Sequence, residues 1–578
     1  MNESSASNPS LRLEFHGDAG GWTLRDAQNN SRLMVADSLA LLIPVIDGRR
    51  LDVTLRRAVD AEGNGRSTLS GTAPGVGRLS LEIFESADDA IDLRCSFTPE
   101  AEVQLNALEI FPERTAVLMD DVVNFRNRHF TTNTWPELLL GGRGCETTTF
   151  SDDWQFAPHP SMMMLRKAHA ILFVGCLDLP TGVFGMELAA AEHRLKHLRL
   201  QYGAYPNGMR LAAGQTFVSP RIRLFLRHDA GVFDALDGFT AMLLRSGQIP
   251  YPAVKTRHRW WREPLYCTWI DQTFAAEVSP PMDLREQAKL GSAGPAQAIL
   301  DEAFVRRAVE RIRAERLPFR TILIDDGWQV ARGQWEPQPD RFPDFRRLVD
   351  DLHAAGFKVV VWWNWAEIEA AAEADPSHLF GGGTLNRHGC RVRDYSMPRV
   401  QEEYLRPLFR KLFSGAPGCY DLDGVKTDFL ADKVHPELPP FDATWRGEET
   451  YFYKLTALFD REMKRHKPDA VHIGCAGHFW LAEHIDINRT YDIWMSPLEH
   501  EARAQMLRHT APGVPIAYDF YIFVDGLDAS FDSAERTQSS IQIGNVLYVR
   551  DDAFAPPRVA DDAYYELLRQ RLPRSQFA

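Results

Sequence analysis

The sequence lacks paired cysteine motifs, a secretion signal and any long apolar run. Its seven cysteines are scattered and never form CxxC, so they predict neither a disulfide framework nor a zinc ribbon. The opening residues MNESSASNPSLRLEF show no basic segment followed by an apolar one. No stretch approaches the about 18 apolar residues that a membrane span needs. We therefore expect a reduced, cytoplasmic protein that does not insert into a membrane.

The sequence also lacks an excess of basic residues. Its 65 lysines and arginines are outnumbered by 79 aspartates and glutamates, which gives a net charge of −14. Such a chain repels the phosphates of nucleic acid and of anionic membranes, so we expect neither as a partner. Nucleotide-binding motifs are missing as well. There is no GxGxxG or GxxxxGK[ST], and the glycine run at 381–383 lacks the lysine of a phosphate-binding loop.

Two parts of the chain follow different patterns, which predict a multidomain β plus α/β fold. Residues 1–245 contain short alternating runs such as RLSLEIF and RIRLFLR, typical of an antiparallel β-sandwich. Residues 246–263 combine prolines with a basic aromatic cluster and are predicted to form a linker. Residues 264–578 alternate apolar strands with helices, which predicts a (β/α)8 TIM barrel with a C-terminal helix.

Eight apolar runs are the predicted barrel strands. They are PLYCTWI from 264, RTILID from 320, FKVVVWW from 357, LDGVKTD from 422, DAVHIG from 469, TYDIWMS from 490, PIAYDF from 515 and IQIGNVLYV from 541. Eight such strands within about 290 residues fit the usual size of a TIM barrel, whose active site lies at the carboxyl ends of the strands.

Aspartate and tryptophan dominate the predicted strand ends. The residues there are Trp269, Asp271, Asp325, Asp326, Trp328, Trp362, Trp363, Asn364, Trp365, Glu367, Lys426, Asp428, Arg489, Asp492, Trp494 and Asp519. Carboxylates accept hydrogen bonds from hydroxyls and aromatic faces cover apolar surfaces, so this composition favours a sugar ligand. Because strand residues alternate faces, the three tryptophans at 362, 363 and 365 cannot all face the site, and at least one should pack in the core.

Asp428 is the most informative of these residues. It ends an apolar strand two residues after Lys426, whose positive charge favours its ionised form. A retaining glycosidase needs such a carboxylate as nucleophile and a second carboxyl about 5 to 5.5 Å away as acid/base. Asp492 is a candidate for the second role, with Glu499 and Glu501 as alternatives. On spacing alone, helix caps or ion pairs explain Asp428 and Asp492 equally well.

A metal site is not expected. Asp325 and Asp326 are suited either to clamping a substrate or to binding a metal. However, His472, His478 and His484 are six residues apart, which puts them on no common helical face as in HExxH. We therefore predict no metal and no other cofactor.

Five segments occur in a recognisable order. They are WWREPLYCTWIDQ, ILIDDGWQ, WEPQPDRFPDFRRLVDDLHAAGFKVVVWWNW, GVKTDFL and RTYDIW. Together they resemble the α-galactosidase-type glycoside hydrolases of family 36 and their relatives of family 27, with some features of family 31. The resemblance implies a retaining exo-acting α-glycoside hydrolase, with α-galactosidase as the first choice and an α-linked oligosaccharide or glycoside as substrate.

The resemblance also implies roles for single residues. Asp428 corresponds to the nucleophile of the K-x-D strand and Asp492 to the acid/base. The implied substrate-binding residues are Asp325, Asp326, Lys426, Trp269, Trp362 and Arg489. An α-glucosidase, a raffinose-synthase-like transglycosylase and a non-catalytic sugar-binding barrel are the alternatives, and assembly into a homo-oligomer is left open.

Several departures from family 36 limit what the resemblance implies. The third strand ends WWNWAE where many members have Trp-Phe-Glu-Pro-Glu, and the fourth reads KTDF, which is closer to family 31. Tyr491 and Ile493 replace the serine and the acidic residue that are expected beside the acid/base. We therefore expect the reaction class to transfer better than the identity of the sugar.

Overall fold

The structure of the chain is a computed structural model. It describes residues 10–16, 20–37, 42–53, 55–59, 66–86, 89–111, 115–123, 146–149, 162–179, 183–191, 194–203, 208–228, 231–249, 258–278, 294–364, 368–370, 372–386, 389–428, 438–446, 448–474, 480–490, 497–520 and 523–572. Two antiparallel sheets precede a closed barrel of eight parallel strands. The predicted fold class, a β-sandwich followed by a TIM barrel, is confirmed.

The N-terminal sheets have 11 and 9 strands within the described residues. Their strands are Leu11–Phe15, Trp22–Asp26, Arg32–Ala36, Leu42–Ile46, Arg49–Arg50, Arg56–Val59, Arg66–Ala73, Gly77–Ser86, Ala90–Pro99, Val103–Ile110, Ala116–Val117, Asp121–Val123, Glu146–Thr149, Met162–Lys167, Ala170–Cys176, Val183–Ala191, Arg194–Gly203, Met209–Leu211, Phe217–Val218 and Ile222–His228. In Gly77–Ser86 the apolar Leu79, Leu81 and Ile83 alternate with polar residues and are buried. One apolar core contains these side chains together with Trp22 of the other sheet.

The barrel strands, numbered 1 to 8 in chain order, agree with seven of the eight predicted runs. They are Leu265–Cys267, Thr321–Ile324, Lys358–Asn364, Gly424–Asp428, Val471–Gly474, Ile487–Arg489, Ile516–Phe520 and Ser540–Ile543. The sixth prediction is wrong, because barrel strand 6 lies before residue 490 and not over TYDIWMS. Residues 491–496 of that run lie outside the described residues.

Barrel strand 6 is difficult to recognise in the sequence because it contains and follows polar residues. Asp486 and Asn488 are fully buried, whereas the aromatic run that follows them has the composition typical of a strand. Asp486 is compensated by two contacts: it accepts a hydrogen bond of 2.8 Å from the backbone N–H of His472 and one of 2.9 Å from Lys464 Nζ. A carboxylate that is paired in this way can be buried next to a strand, but the partners of Asp486 are distant in sequence.

Helices cover the outside of the barrel and one connects to the sandwich. Their bounds are Val232–Arg245, Trp269–Val278, Pro295–Ile299, Glu302–Ala314, Phe345–Ala354, Pro398–Val400, Arg406–Phe413, Glu448–His466, Pro497–Thr510, Leu527–Arg536 and Asp562–Arg571, with a π-helical turn at Gln401–Leu405 and 3₁₀ turns at Arg259–Arg262, Pro376–His378, Phe380–Gly382 and Ala443–Trp445. Two ribbons pair Gln329–Ala331 with Gln334–Pro337 and Tyr548–Val549 with Arg558–Val559. Of the described helices, none has the length and apolarity to span a bilayer.

The predicted domain boundaries stay a prediction, but the contacts on either side of the linker are defined. Trp261, from the basic aromatic cluster, is 1% exposed and packs into the apolar cluster inside the barrel, so it serves packing. Helix Val232–Arg245 contacts helix Pro497–Thr510: Phe233 stacks on His509 with ring centroids 4.6 Å apart. The second helix begins at Pro497, shortly after Asp492 in the sequence.

A buried charge cluster closes the amino end of the barrel around Asp423. Its carboxylate accepts bonds from His353 Nε2 at 2.7 Å, Lys358 Nζ at 2.9 Å, the N–H of Val359 at 2.8 Å and Lys467 Nζ at 3.0 Å. Burial disfavours the charge, but the hydrogen bond from His353 and the charge of Lys467 hold the pKa of Asp423 well below its ordinary value. The carboxylate is therefore ionised wherever the barrel is folded near neutral pH.

Replacing Asp423 by asparagine should lower the free energy of unfolding by about 3 kcal/mol at neutral pH, because two ammonium groups lose their buried partner. Since the pKa is depressed in the folded state, this stabilisation is present above the ordinary Asp pKa of about 3.9 and is lost as the pH falls below it. Urea unfolding at several pH values measures both effects. Asp469→Asn removes a 36% exposed partner of Lys358 and should have a much smaller effect; equal losses would contradict the prediction.

Candidate active site

The carboxyl ends of the barrel strands bring charged side chains together in the barrel mouth. Val360, Ile487 and Ala517 belong to the apolar cluster inside the barrel, so the residue two positions after each faces the same interior. By this alternation, the inward-facing side chains at the carboxyl ends of the strands are Asp325, Trp362, Lys426, Asp428, Arg489 and Asp519. Five of these six are predicted site residues. The sixth, Asp519, is predicted to lie at a strand end but has no predicted role.

Asp428 is held from two sides at the end of barrel strand 4. Its Oδ2 accepts a hydrogen bond of 3.0 Å from Trp362 Nε1, and its Oδ1 lies 3.7 Å from Arg489 Nη1. Its side chain keeps 13% of its surface exposed, whereas that of Arg489 keeps 1%. The carboxylate is thus oriented by the protein and still reachable from the mouth.

Lys426 bonds to Asp325. Its Nζ donates to Asp325 Oδ2 at 2.7 Å. Burial and the charge of Arg489 oppose its protonation, but the carboxylates of Asp325 and Asp428 outweigh them and raise the pKa of Lys426 above its ordinary value. Both Lys426 and Asp428 therefore lie in one electrostatic network, in which the hydrogen bond of Lys426 goes to Asp325.

Arg489 is the second cation of the network. Its Nε and Nη2 contact Asp519 Oδ2 at 2.6 and 2.5 Å. These two contacts on one oxygen fix the plane of the guanidinium and leave Nη1 on the side of Asp428. Asp519 is a functional candidate at a predicted strand end. Its pairing with Arg489 could not be predicted from local sequence, because the two residues are 30 positions apart.

The adjacent carboxylates of Asp325 and Asp326 have different surroundings. Asp325 faces the barrel interior and receives, besides Lys426, the Cys267 thiol at 3.1 Å. Burial and the charge of Asp325 raise the pKa of the Cys267 thiol well above its ordinary value. The thiol is therefore protonated and able to donate. Asp325 is accordingly part of the mouth network.

Asp326 is surrounded by donors of the protein itself. Its Oδ1 accepts from Gln329 Nε2 at 2.6 Å, and its Oδ2 accepts from Arg332 Nη2 at 2.6 Å and Gln297 Nε2 at 3.1 Å. The residue is 3% exposed. Sequence reasoning missed Arg332, which follows the short strand Gln329–Ala331 and belongs to no periodic pattern.

The tryptophans divide between the mouth and the core, as the alternation predicts. Trp362 faces inward, whereas Trp363 faces the surrounding helices, with its ring centroid 5.1 Å from Phe409 and 4.5 Å from Phe459. Trp269 is partly buried against the apolar cluster inside the barrel. Trp365 lies outside the described residues.

Asp271 and His472 have packing roles. Asp271 accepts from the backbone N–H groups of residues 546, 547 and 548, while burial raises its pKa to about 7. His472 contacts Thr427 Oγ1 through Nε2 at 2.9 Å and the carbonyl of His484 through Nδ1 at 2.8 Å. Within the described ranges, no three histidine, cysteine or acidic side chains are grouped to hold a metal ion.

The acid/base stays a prediction. Asp492 lies outside the described residues, as do Glu367, His478 and Trp494. Of the two alternatives, Glu499 is in helix Pro497–Thr510 and its side chain is not described. Glu501 on the same helix bonds to Arg536 Nη2 at 2.5 Å, on the outer side of the barrel wall.

The barrel matches a family model and the chain is similar to several known proteins. Residues 288–505 match the glycosyl hydrolases family 31 TIM-barrel domain. Probable alpha-galactosidase C of Aspergillus flavus is 25% identical over 321 residues, which is 51% of this chain and 37% of that protein. The chain thus spans well under half the length of this curated relative.

Solved structures share the fold over nearly the whole chain. The galactosidase domain of alpha-galactosidase-sucrose kinase AgaSK has a TM-score of 0.56 at 14% identity and covers 99% of this chain and 80% of its own. The family 36 alpha-galactosidase AgaB of Geobacillus stearothermophilus has a TM-score of 0.51 at 14% identity, with coverages of 92% and 74%. These structures share the fold of the sandwich and barrel with this chain. The predicted resemblance to family 36, with family 31 features in the barrel, is confirmed.

The Lys426–Asp325 pair should show strong coupling. Asp325→Asn or Lys426→Met alone leaves one buried charge without its partner, so each should lower the free energy of unfolding by about 3 kcal/mol. The double variant should lose at least about 1 kcal/mol less than the sum of the two. Urea unfolding of the four proteins measures the coupling. The exposed pair Arg346–Asp350 provides the control cycle, and additive losses in the mouth pair would contradict the prediction.

Proposed function

We propose that this protein is a retaining exo-acting α-glycoside hydrolase, with an α-galactoside as its preferred substrate. The observation that carries the proposal is the carboxylate of Asp428. It stands at the end of barrel strand 4, is oriented by the Trp362 indole at 3.0 Å and has the Arg489 guanidinium at 3.7 Å. A nearby cation favours the ionised form that a nucleophile requires.

The proposed reaction has two steps. Asp428 attacks the anomeric carbon while Asp492 protonates the departing glycosidic oxygen, which gives a covalent glycosyl-aspartate. Asp492 then takes a proton from water, which attacks the same carbon and releases Asp428. Arg489 assists the second step because its positive charge stabilises the departing carboxylate. Asp325 and Lys426 orient the sugar, and Trp269 forms part of the wall of the mouth.

The substrate class rests on the resemblances. A variant of the family 36 α-galactosidase AgaA of Geobacillus stearothermophilus has been solved in complex with stachyose, with a TM-score of 0.52 and 13% identity to this chain. An α-linked galacto-oligosaccharide is the corresponding substrate here. We also propose a cytoplasmic location. It is supported by Cys95, Cys267 and Cys419, which are described cysteines that form no disulfide.

An α-glucosidase is the second candidate, because the family model that matches the barrel is that of family 31. The two candidates share the nucleophile and differ in the sugar. Parallel assays with nitrophenyl α-galactoside and α-glucoside separate them, and product analysis with an acceptor sugar detects transglycosylation. Binding of either glycoside without turnover would instead indicate a non-catalytic sugar-binding barrel.

Asp428→Asn should lower kcat/KM on nitrophenyl α-galactoside by at least about 10³-fold, because the amide cannot form the glycosyl intermediate. Steady-state release of nitrophenol measures the effect, and NMR of the first product should show the α-anomer. Asp350→Asn, at a 52% exposed helix position, should leave kcat/KM unchanged. Full activity of the Asp428 variant would exclude the mechanism.

Asp492→Gly should slow the hydrolysis of substrates with poor leaving groups much more than that of substrates with good ones. Without an acid catalyst, hydrolysis of an α-galactosyl sugar should fall about 10²- to 10⁴-fold. The nitrophenyl substrate, whose leaving group needs no proton, should lose much less in its glycosylation step. Azide should then give a galactosyl azide product. Glu501→Gln is the matched control; a leaving-group effect in that variant and none at Asp492 would reassign the acid/base.

A further inference from the structure

We infer that Arg332 is a positioning residue that orients Asp428 through the ring of Trp362. Its expected effect on turnover rests on the proposed function, whereas its effect on the geometry of the mouth does not. The inference comes from a connected series of contacts that runs from Asp326 through Arg332 and Trp362 to Asp428.

The backbone of Arg332 is fixed at a tight turn. Its N–H donates to Glu369 Oε2 at 3.2 Å, and its carbonyl accepts from the Glu369 N–H at 3.0 Å. Gly333 follows with φ of 93°, and a Cβ there would lie 3.1 Å from Ile368. The turn therefore requires glycine and aims the arginine side chain back towards the barrel.

The side chain of Arg332 connects Asp326 with Trp362. Its Nη2 contacts Asp326 Oδ2 at 2.6 Å, and its guanidinium carbon lies 5.4 Å from the Trp362 ring centroid. The side chain is 11% exposed, a depth at which a cation over an indole face is attracted strongly. Asp326 fixes the cation, and the cation holds one face of the indole.

The orientation of the Trp362 ring decides whether it reaches the nucleophile. An indole has a single N–H donor, and Trp362 uses it on Asp428 Oδ2 at 3.0 Å. The carbonyl of Trp362 is fixed separately by Trp328 Nε1 at 2.8 Å, so its backbone is held without Arg332. What Arg332 adds is control over the ring plane, and hence over the direction of the bond to Asp428.

This assignment also gives Asp326 a different role from the one that the family resemblance implies. Its two oxygens receive Gln329, Gln297 and Arg332, so it anchors the arginine. Asp325 faces the barrel interior with Lys426, so of the acidic pair it is the member on the side of the mouth.

The kinetic test compares Arg332→Met with Arg332→Lys. Arg332→Met should lower kcat about 10²-fold, because a small misplacement of the reacting carboxylate has an effect of that size, while KM changes by less than about threefold. Arg332→Lys keeps the charge next to Asp326 and should recover part of kcat. The side chain of Arg332 also lies 3.8 Å from Glu369 Oε1 through Nε, so it contacts two carboxylates. Arg306→Met is the matched control, since Arg306 likewise contacts two carboxylates, Glu302 and Asp351, on the outside of the barrel.

A second variant shows whether Arg332 acts through the indole. Trp362→Phe removes the N–H, so adding Arg332→Met to it should cause little further loss of kcat. Multiplicative losses in the double variant, or an unchanged kcat in Arg332→Met, would overturn the inference.

Crystal structures of the wild type and of Arg332→Met test the geometry without turnover. We expect the Trp362 ring to rotate in the variant and its Nε1 to move beyond about 3.5 Å from Asp428, out of hydrogen-bond range. An unmoved ring would overturn the inference. Absence of activity in the wild type on every α-glycoside would contradict the proposed function alone, since the structural comparison would still decide the role of Arg332.

Discussion

The charge network in the barrel mouth is the constraint on which the site depends. Lys426 and Arg489 are buried cations, and each is held by a carboxylate from another strand, Asp325 at 2.7 Å and Asp519 at 2.5 Å. Removing such charges from water costs several kcal/mol per ion unless the pairing is close. The network thus ties barrel strands 2, 4, 6 and 7 together. Asp428 joins it at the longer distance of 3.7 Å from Arg489.

Strand alternation explains why these residues share one layer and why the site opens at one end. Below the charged layer, apolar side chains of the barrel fill the interior, and Trp261 of the linker packs against them. The barrel therefore has a packed core and an open mouth at the carboxyl ends of its strands, as in other barrels of this type. At the other end, the charges around Asp423 fix strand 4, the strand that carries Asp428.

Much of this arrangement could be predicted because it is local in sequence. The eight-strand rhythm indicates the barrel, and the position of Asp428 after an apolar run places it at the mouth. Contacts between distant residues could not be predicted. Asp326 follows a strand end, whereas its partner Arg332 lies in an irregular turn. Arg489 contacts Asp519 on the neighbouring barrel strand, 30 residues further along the chain. Barrel strand 6 was misplaced for the same reason, since the ion pair that permits Asp486 inside the fold joins it to Lys464 of a preceding helix.

The balance of charge in the mouth bears on the chemistry. Asp326 and Arg332 neutralise each other, so the interior layer consists of the carboxylates of Asp325, Asp428 and Asp519 and the cations of Lys426 and Arg489. Three anions against two cations leave one negative charge in excess, close to where Asp428 would meet the sugar.

A glycoside is neutral in the ground state and gains positive charge at the anomeric centre in the transition state. In the proposed reaction, a fixed negative excess would stabilise the transition state more than the ground state, which is the condition for catalysis. The two cations do not cancel this effect, because each is bonded to its own carboxylate on the wall of the barrel. Their role is to hold these carboxylates in place.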